Sequence, residues 1–379
     1  MTISDASALR AAMLATRLSF LAAGFVMACW APLIPFAKEQ VGADEGVFGL
    51  LLFCLGLGAI VAMPLTGYLS AVTGARPMIL VGGFGLVAIL PLLILAPSVW
   101  SLGLALVLFG AALGTIDVAM NIHAAEVETR ATRPMMSGFH AMWSVGGILG
   151  AGGLTALLSA GLSPLGAALT GSALAGCAMI WAAPRLLRQS GGATPEFIRP
   201  RGIVLLLAGL AAISFLVEGA VLDWGALLIV DQGLMAATGA GIGYMIFSVA
   251  MTIARLTGDK VVAALGRKRV MILGGLIAMA GIALTLVPGM LWPALLGFAL
   301  IGLGCANLVP VIFSLAAQSR DMPAGMAVAA VTTTGYAGIL LGPALIGFAA
   351  DATSLAMAFG ALALLMAAFP LAAARASRP

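Results

Sequence analysis

Few side chains in this sequence are equipped for chemistry, and those few lie inside apolar runs. Glu218 stands about fifteen residues into a run that begins near Ile203, roughly 22 Å along a helix at 1.5 Å per residue. No lysine or arginine lies near it in sequence. A carboxyl group buried without a partner favours its proton-bound form, so Glu218 is suited to take a proton from one side of a membrane and release it on the other. The plain alternative is a protonated Glu making one interhelical hydrogen bond. Asp223 follows five residues later, beside Trp224. Five helical residues turn by about 140°, so the two carboxylates do not share a face, and Asp223 with Trp224 also reads as an interfacial anchor. Asp117 and Asn121 are one helical turn apart on a common face, suited to hold a solute or relay a proton, or to bond across to a neighbouring helix. His140 adds an imidazole that titrates near neutral pH, and Trp143 and Ser144 follow within a turn. Trp143 offers a flat face for a sugar or aromatic ligand. Asn307 and Tyr336 are the polar contributions expected from the second half of the chain. The plain reading of His140, Trp143 and their neighbours is packing or a single hydrogen bond.

These residues need a scaffold, and composition identifies its solvent. Hydrophobic residues make up 62% of the 379 and charged residues 8%, against about 25% charged in soluble proteins. Such a surface belongs in lipid, where every backbone polar group must be paired internally and only helices and closed barrels survive. The apolar runs are continuous and about 20 residues long, the length a helix needs to cross a bilayer; barrel strands would alternate over about ten residues.

Twelve spans follow: Met13–Phe36, Val47–Tyr68, Pro77–Ala96, Trp100–His123, Met135–Ala160, Leu165–Leu186, Ile203–Val230, Ile242–Thr257, Val270–Val287, Leu291–Ala317, Ala324–Ala350 and Leu355–Ala373. The first is read as a retained span, not a signal peptide. The most hydrophilic stretch, around Arg188–Arg201, holds two prolines and two glycines and reads as a linker. The expected organisation is a six-helix bundle over 1–186, a linker over 187–202 and a second six-helix bundle over 203–379. Lysines and arginines fall on one side of this arrangement; the opposite loops carry only Lys38. That asymmetry predicts both termini and the linker in the cytoplasm. It also accounts for the formal charge of +4 without a nucleic-acid partner. His123, Glu126 and Glu128 are expected at the membrane edge or in a cytoplasmic loop.

The halves echo each other. Gly114-x-x-Asp117 in span four matches Gly304-x-x-Asn307 in span ten, Gly147-Ile-Leu149 matches Gly338-Ile-Leu340, and Trp30 parallels Trp224. Repeated halves place a solute site near the midplane. Pro310 must disturb the tenth span. Gly147, Gly150, Gly152 and Gly153 are expected to let span five pack closely against a neighbour.

Six spans, a basic linker and six more spans resemble the major facilitator superfamily. The loop after span two, Gly67-Tyr-Leu-Ser-Ala-Val-Thr-Gly74-Ala-Arg76, is similar to that family's G-x-x-x-D-R-x-G-R-R loop, with Ala71 and Val72 in place of the Asp and first Arg. The corresponding second-half segment runs from Arg255 through Gly258, Asp259 and Gly266 to Arg267 and Lys268. The resemblance implies that these residues form cytoplasmic gating loops, with the latch between helix ends depending on the second half. Phe139-His-Ala-Met-Trp-Ser-Val-Gly-Gly147 and Glu218-Gly-Ala-Val-Leu-Asp223-Trp224 look like the YbjJ-like bacterial branch, with a looser similarity to fucose permease-type proton symporters.

The resemblance implies a monomeric inner-membrane secondary transporter that moves a small polar solute by alternating access with proton coupling. A sugar-like solute is favoured, because few basic residues fall within the spans. A multidrug exporter of the same fold is the nearest alternative, but span five lacks the G-x-x-x-G-P pattern of drug/proton antiporters, which only Gly338-x-x-x-Gly342-Pro343 shows. A non-transporting membrane sensor is a further alternative. No phosphate loop or H-E-x-x-H motif is present, and Cys29, Cys54, Cys177 and Cys305 lack metal-ligand spacing. No enzyme activity, cofactor or metal is expected.

Overall fold

The structure is a computed structural model that describes residues 3–43, 45–188, 199–235 and 241–376. The middle of the expected linker, 189–198, and the expected cytoplasmic Arg378 lie outside these residues. The described chain is helical throughout. Its α-helices are α1 (Ile3–Val41), α2 (Glu45–Thr73), α3 (Ala75–Leu95), α4 (Val99–Ala131), α5 (Met136–Ser159), α6 (Pro164–Ala182), α7 (Gly202–Asp231), α8 (Ile242–Leu265), α9 (Arg267–Thr285), α10 (Leu291–Cys305), α11 (Leu308–Ala317), α12 (Ala324–Ala352), α13 (Leu355–Met366) and α14 (Ala368–Ala376).

Local chemistry sets the ends. Ser98 caps α4 through a reciprocal box with Ser101. Ser163 caps α6 with Pro164 at its first position. The α2–α3 and α8–α9 turns pass through Gly74 at φ 84° and Gly266 at φ 77°, a conformation glycine adopts without a Cβ penalty. As expected from Pro310, the tenth span is broken: α10 stops at Cys305 and α11 starts at Leu308. Eleven helical segments are long and apolar enough to cross a membrane among the described residues, with α10–α11 and α13–α14 each counted as one. Helix α8 falls outside that set; its second half carries Arg255, Asp259 and Lys260. Helix α4 continues past the expected end of span four to Ala131. This corrects the placement of three residues: His123 and Glu128 are buried within the helix, and Glu126 pairs with Arg130 one turn on.

By contact the chain divides into two compact units. One holds α1–α4, most of α5, α6 and Met322–Ala329 at the start of α12. The other holds Arg133–Gly138, α7–α11, the rest of α12, α13 and α14. In the first unit α4 packs on α1, α2 and α3; in the second α10 packs on α8 and α9.

Glycines let backbones touch at these crossings, as small residues do in lipid. A Cβ at Gly110 would lie 1.8 Å from the Leu55 carbonyl oxygen of α2, and one at Gly302 would lie 2.3 Å from that of Phe247 on α8. The two glycines are 192 apart in number, and so are their partners. Gly82 on Ala112 and Gly274 on Gly304 repeat this at the same spacing. Gly146 meets Leu21 of α1, and Gly338 meets Ala212 of α7. The glycine that approaches α1 is thus Gly146, with Gly150; nothing lies within 4 Å of a Cβ at Gly147, Gly152 or Gly153.

Candidate functional site

Each unit carries a polar cluster inside its helices. In the second, Glu218 on α7 faces Arg255 on α8, with Nη2 3.7 Å from Oε2. This corrects two expectations. Glu218 is not without a basic partner, because Arg255, distant in sequence, is brought beside it. Arg255 is not part of a cytoplasmic loop: it is the fourteenth residue of a 24-residue helix and only 7% exposed. A charged side chain at a span's centre costs about 2.5–3.5 kcal/mol on insertion scales, and pairing opposite charges is how such groups are retained.

The pair is held from both sides. Ser214, one turn before Glu218, donates to Oε1 at 3.2 Å. Arg255 Nε donates to the Ala306 carbonyl oxygen at 3.2 Å. That carbonyl is available for a local reason. In a continuous helix Ala306 would accept from the residue four positions on, which is Pro310, and proline has no N–H. Asn307 sits in the break with its Nδ2 3.5 Å from the Ala254 carbonyl oxygen. Its buried Oδ1 has no hydrogen-bond partner and is packed against Gly258. Asp223 lies exposed on another face of α7, outside this cluster. Tyr336 on α12 meets Phe215 edge-on at 6.1 Å between ring centres.

In the first unit the expected residues join in a chain. Asn121 Nδ2 donates to the Asp117 backbone oxygen at 2.9 Å and to Asp117 Oδ1 at 3.2 Å. Its Oδ1 is thereby turned toward His140 Nε2, 3.2 Å away. Since an amide oxygen only accepts, Nε2 carries the hydrogen. Phe20 packs edge-on against the His140 ring at 5.2 Å. Ser144 Oγ turns back to the His140 carbonyl oxygen at 3.4 Å. Trp143 is half-buried, and its backbone lies against Gly24 of α1.

His123, two residues after Asn121 and separate from this chain, was not read from sequence as a buried residue. Its Nε2 accepts from the Leu187 N–H at 3.0 Å, and its Nδ1 meets Thr16 Oγ1 at 2.9 Å. Thr16 already donates to the Ala12 carbonyl oxygen, so Nδ1 is the donor and the ring is a neutral structural tie between α1, α4 and the segment after α6.

Of the expected gating residues, Gly74, Arg76, Gly266 and Arg267 lie at helix ends, whereas Gly67, Arg255 and Asp259 lie within helices. Arg76 donates to the Ala183 carbonyl oxygen at 3.2 Å, and Arg267 to Gln318 Oε1 at 2.6 Å. Asp259 lies within α8, not in a loop, and its Oδ2 accepts from the Gly138 N–H at 3.1 Å, at the start of α5. A carboxylate there complements the positive helix terminus. Gly67, in the first unit, meets only the Ala329 methyl and nearby backbone. Asp321 caps α7 from another segment, accepting from the Ile203 N–H at 2.9 Å.

The sequence profile described as Major Facilitator Superfamily matches residues 18–232. The chain belongs to this superfamily. An uncharacterised MFS-type transporter of Yersinia pestis is 48% identical over 353 residues, covering 93% of this chain and 92% of that one. Two solved structures share the fold at low identity. The fucose:proton symporter of Escherichia coli superposes with a TM-score of 0.78 at 17% identity, covering 97% of this chain and 98% of that one. A human organic anion transporter gives 0.79 at 14% identity, covering 96% and 99%. This superfamily member is therefore a multi-pass transporter of the bacterial inner membrane, and family membership places it among transporters, not enzymes.

Proposed function

We propose that this chain is a proton-coupled secondary transporter that moves a small polar solute, sugar-like by preference, by alternating access between a half formed by 1–186 and a half formed by 203–379. The observation that carries the proposal is the Glu218–Arg255 pair, with Arg255 buried and Glu218 partly buried among apolar helices where an ion pair has no use as surface solubility. Protonation of Glu218 releases its charge from Arg255, and deprotonation restores the pair, so the two states differ in what holds α7 to α8. The Asp117–Asn121–His140 chain supplies the donors and acceptors suited to a hydroxylated solute. The likeness to a fucose:proton symporter supports the same reading at the level of fold.

In this reading the carrier works as a monomer, α8 also crosses the membrane to bring the spans to twelve, and both termini and the linker face the cytoplasm. One proton crossing 100 mV supplies about 2.3 kcal/mol, equivalent to about fifty-fold accumulation. The second reading, transport of an anionic solute, is favoured by one observation: a buried arginine within a span.

Both readings are tested in proteoliposomes with an imposed pH gradient and three solute classes: neutral sugars, small carboxylates and lipophilic cations. Uptake of a neutral sugar with accompanying proton movement is expected, and Glu218→Gln is expected to abolish the proton movement. Carboxylate transport selects the second reading, and lipophilic-cation export selects a multidrug carrier. Wild-type coupling in Glu218→Gln removes Glu218 from the mechanism.

A further inference from the structure

The break between α10 and α11 is built like a cation site. It presents a backbone oxygen, the Ala306 carbonyl, that Pro310 has deprived of its helical donor. The next residue, Asn307, keeps its Oδ1 buried and without a hydrogen-bond partner, packed against Gly258, and the Glu218 carboxylate lies on the other side of Arg255. Interrupted helices in membrane carriers use such oxygens, at the negative end of a half-helix, to coordinate a coupling cation. Here the cation is covalent. Arg255 reaches from α8, donates through Nε to the Ala306 carbonyl oxygen at 3.2 Å, and sets its Nη2 3.7 Å from Glu218. We propose that Arg255 is a tethered cation filling the cation site of the α10–α11 break, and that removing its side chain leaves a site that takes free guanidinium.

The inference rests on the proposed transport reading only in naming what the site serves; the occupancy of the site is a separate matter. A planar guanidinium suits it better than a bare alkali ion, because Nε meets the carbonyl while the Nη edge faces the carboxylate. A lysine carries the charge without that fork, so Arg255→Lys is expected to be a poor replacement. The tether also implies that the wild-type carrier has no need of Na+ at this break.

Purified Arg255→Ala, full length and in detergent, is melted in guanidinium chloride on the order of 10 mM, far below the molar denaturing range, and in matched NaCl. If guanidinium saturates the vacated site about tenfold, the melting temperature rises by about 2–4 °C, while NaCl has no such effect. The wild-type protein shows no rise with either salt. Partial return of solute flux to Arg255→Ala liposomes in guanidinium is the matching functional result. Equal responses to guanidinium and NaCl, or none, overturn the proposal. Where Arg255→Ala does not fold, Glu218→Gln/Arg255→Met removes both charges together. That protein is expected to fold and to show no guanidinium response, and a response as large as about 2–4 °C in it overturns the proposal. The melting shift does not depend on flux, so a wrong solute or a failed transport reading leaves this result intact.

Discussion

At the scale of single residues, Asn121 is tightly constrained within the first unit. It is fully buried, and both ends of its amide are used: Nδ2 on Asp117 and Oδ1 on His140. The bond to His140 ties α4 to α5. Interhelical hydrogen bonds in lipid average about 0.6 kcal/mol and reach about 1.7. Asn121→Ala is therefore expected to cost about 1 kcal/mol, seen as a small fall in melting temperature. Because the same bond is lost in His140→Ala, the double variant is expected to lose less than the two singles added together. Strict additivity in this cycle would show that the amide and the imidazole do not act on each other. The pair Asp117 and Asn121 was legible in sequence from its spacing alone, since residues four apart in a helix must meet. The partnership with His140 was not, because nothing in spacing fixes how α4 faces α5.

Among the helices, the glycines separate what composition shows from what packing decides. With 49 glycines in the chain, helical spacings of small residues are expected everywhere, and sequence alone favours Gly147 as the partner of Gly338. The structure uses Gly146 instead, one residue away and on another face. Only the crossing itself chooses the face. The consequence is testable by size-exclusion profiles of solubilised protein. Gly110→Val sets branched carbon against the Leu55 carbonyl, which is backbone and cannot turn aside, so it is expected to abolish the monodisperse peak. Gly302→Val, at the corresponding crossing on Phe247, is expected to do the same. Gly147→Val meets nothing within 4 Å and is expected to behave as wild type. The broken tenth span was legible because Pro310 acts through the chain itself. The ion pair was half-legible: Pro310 marks a spare carbonyl at Ala306, and Arg255 is the sole arginine between Arg201 and Arg267. Its meeting with Glu218 is a tertiary fact that no local pattern records.

For the whole molecule, the repeat explains why one half can hold a charge that the other does not. The shared spacing of 192 puts Arg255 where the first half has Met63, so the first half offers an apolar side chain at the position from which the second half reaches Glu218 with a charge. Helix α8 carries the cost: with Arg255, Asp259 and Lys260 it is the one long helix outside the apolar set among the described residues. Its place in the membrane must then depend on α7, which precedes it and carries Glu218. A reporter fused at Gly266 is expected to read cytoplasmic in the wild type, because in the proposed topology an even number of spans precedes it and Arg267–Arg269 favour that side. Glu218→Leu leaves α8 apolar company but no counter-charge, returning a penalty of about 2.5–3.5 kcal/mol for the arginine. That variant is expected to shift part of the population to a reporter facing outward, and adding Arg255→Leu is expected to bring it back. If Glu218→Leu leaves the reporter wholly cytoplasmic, α8 inserts on its own, and the pair belongs to the transport cycle without a part in building the fold.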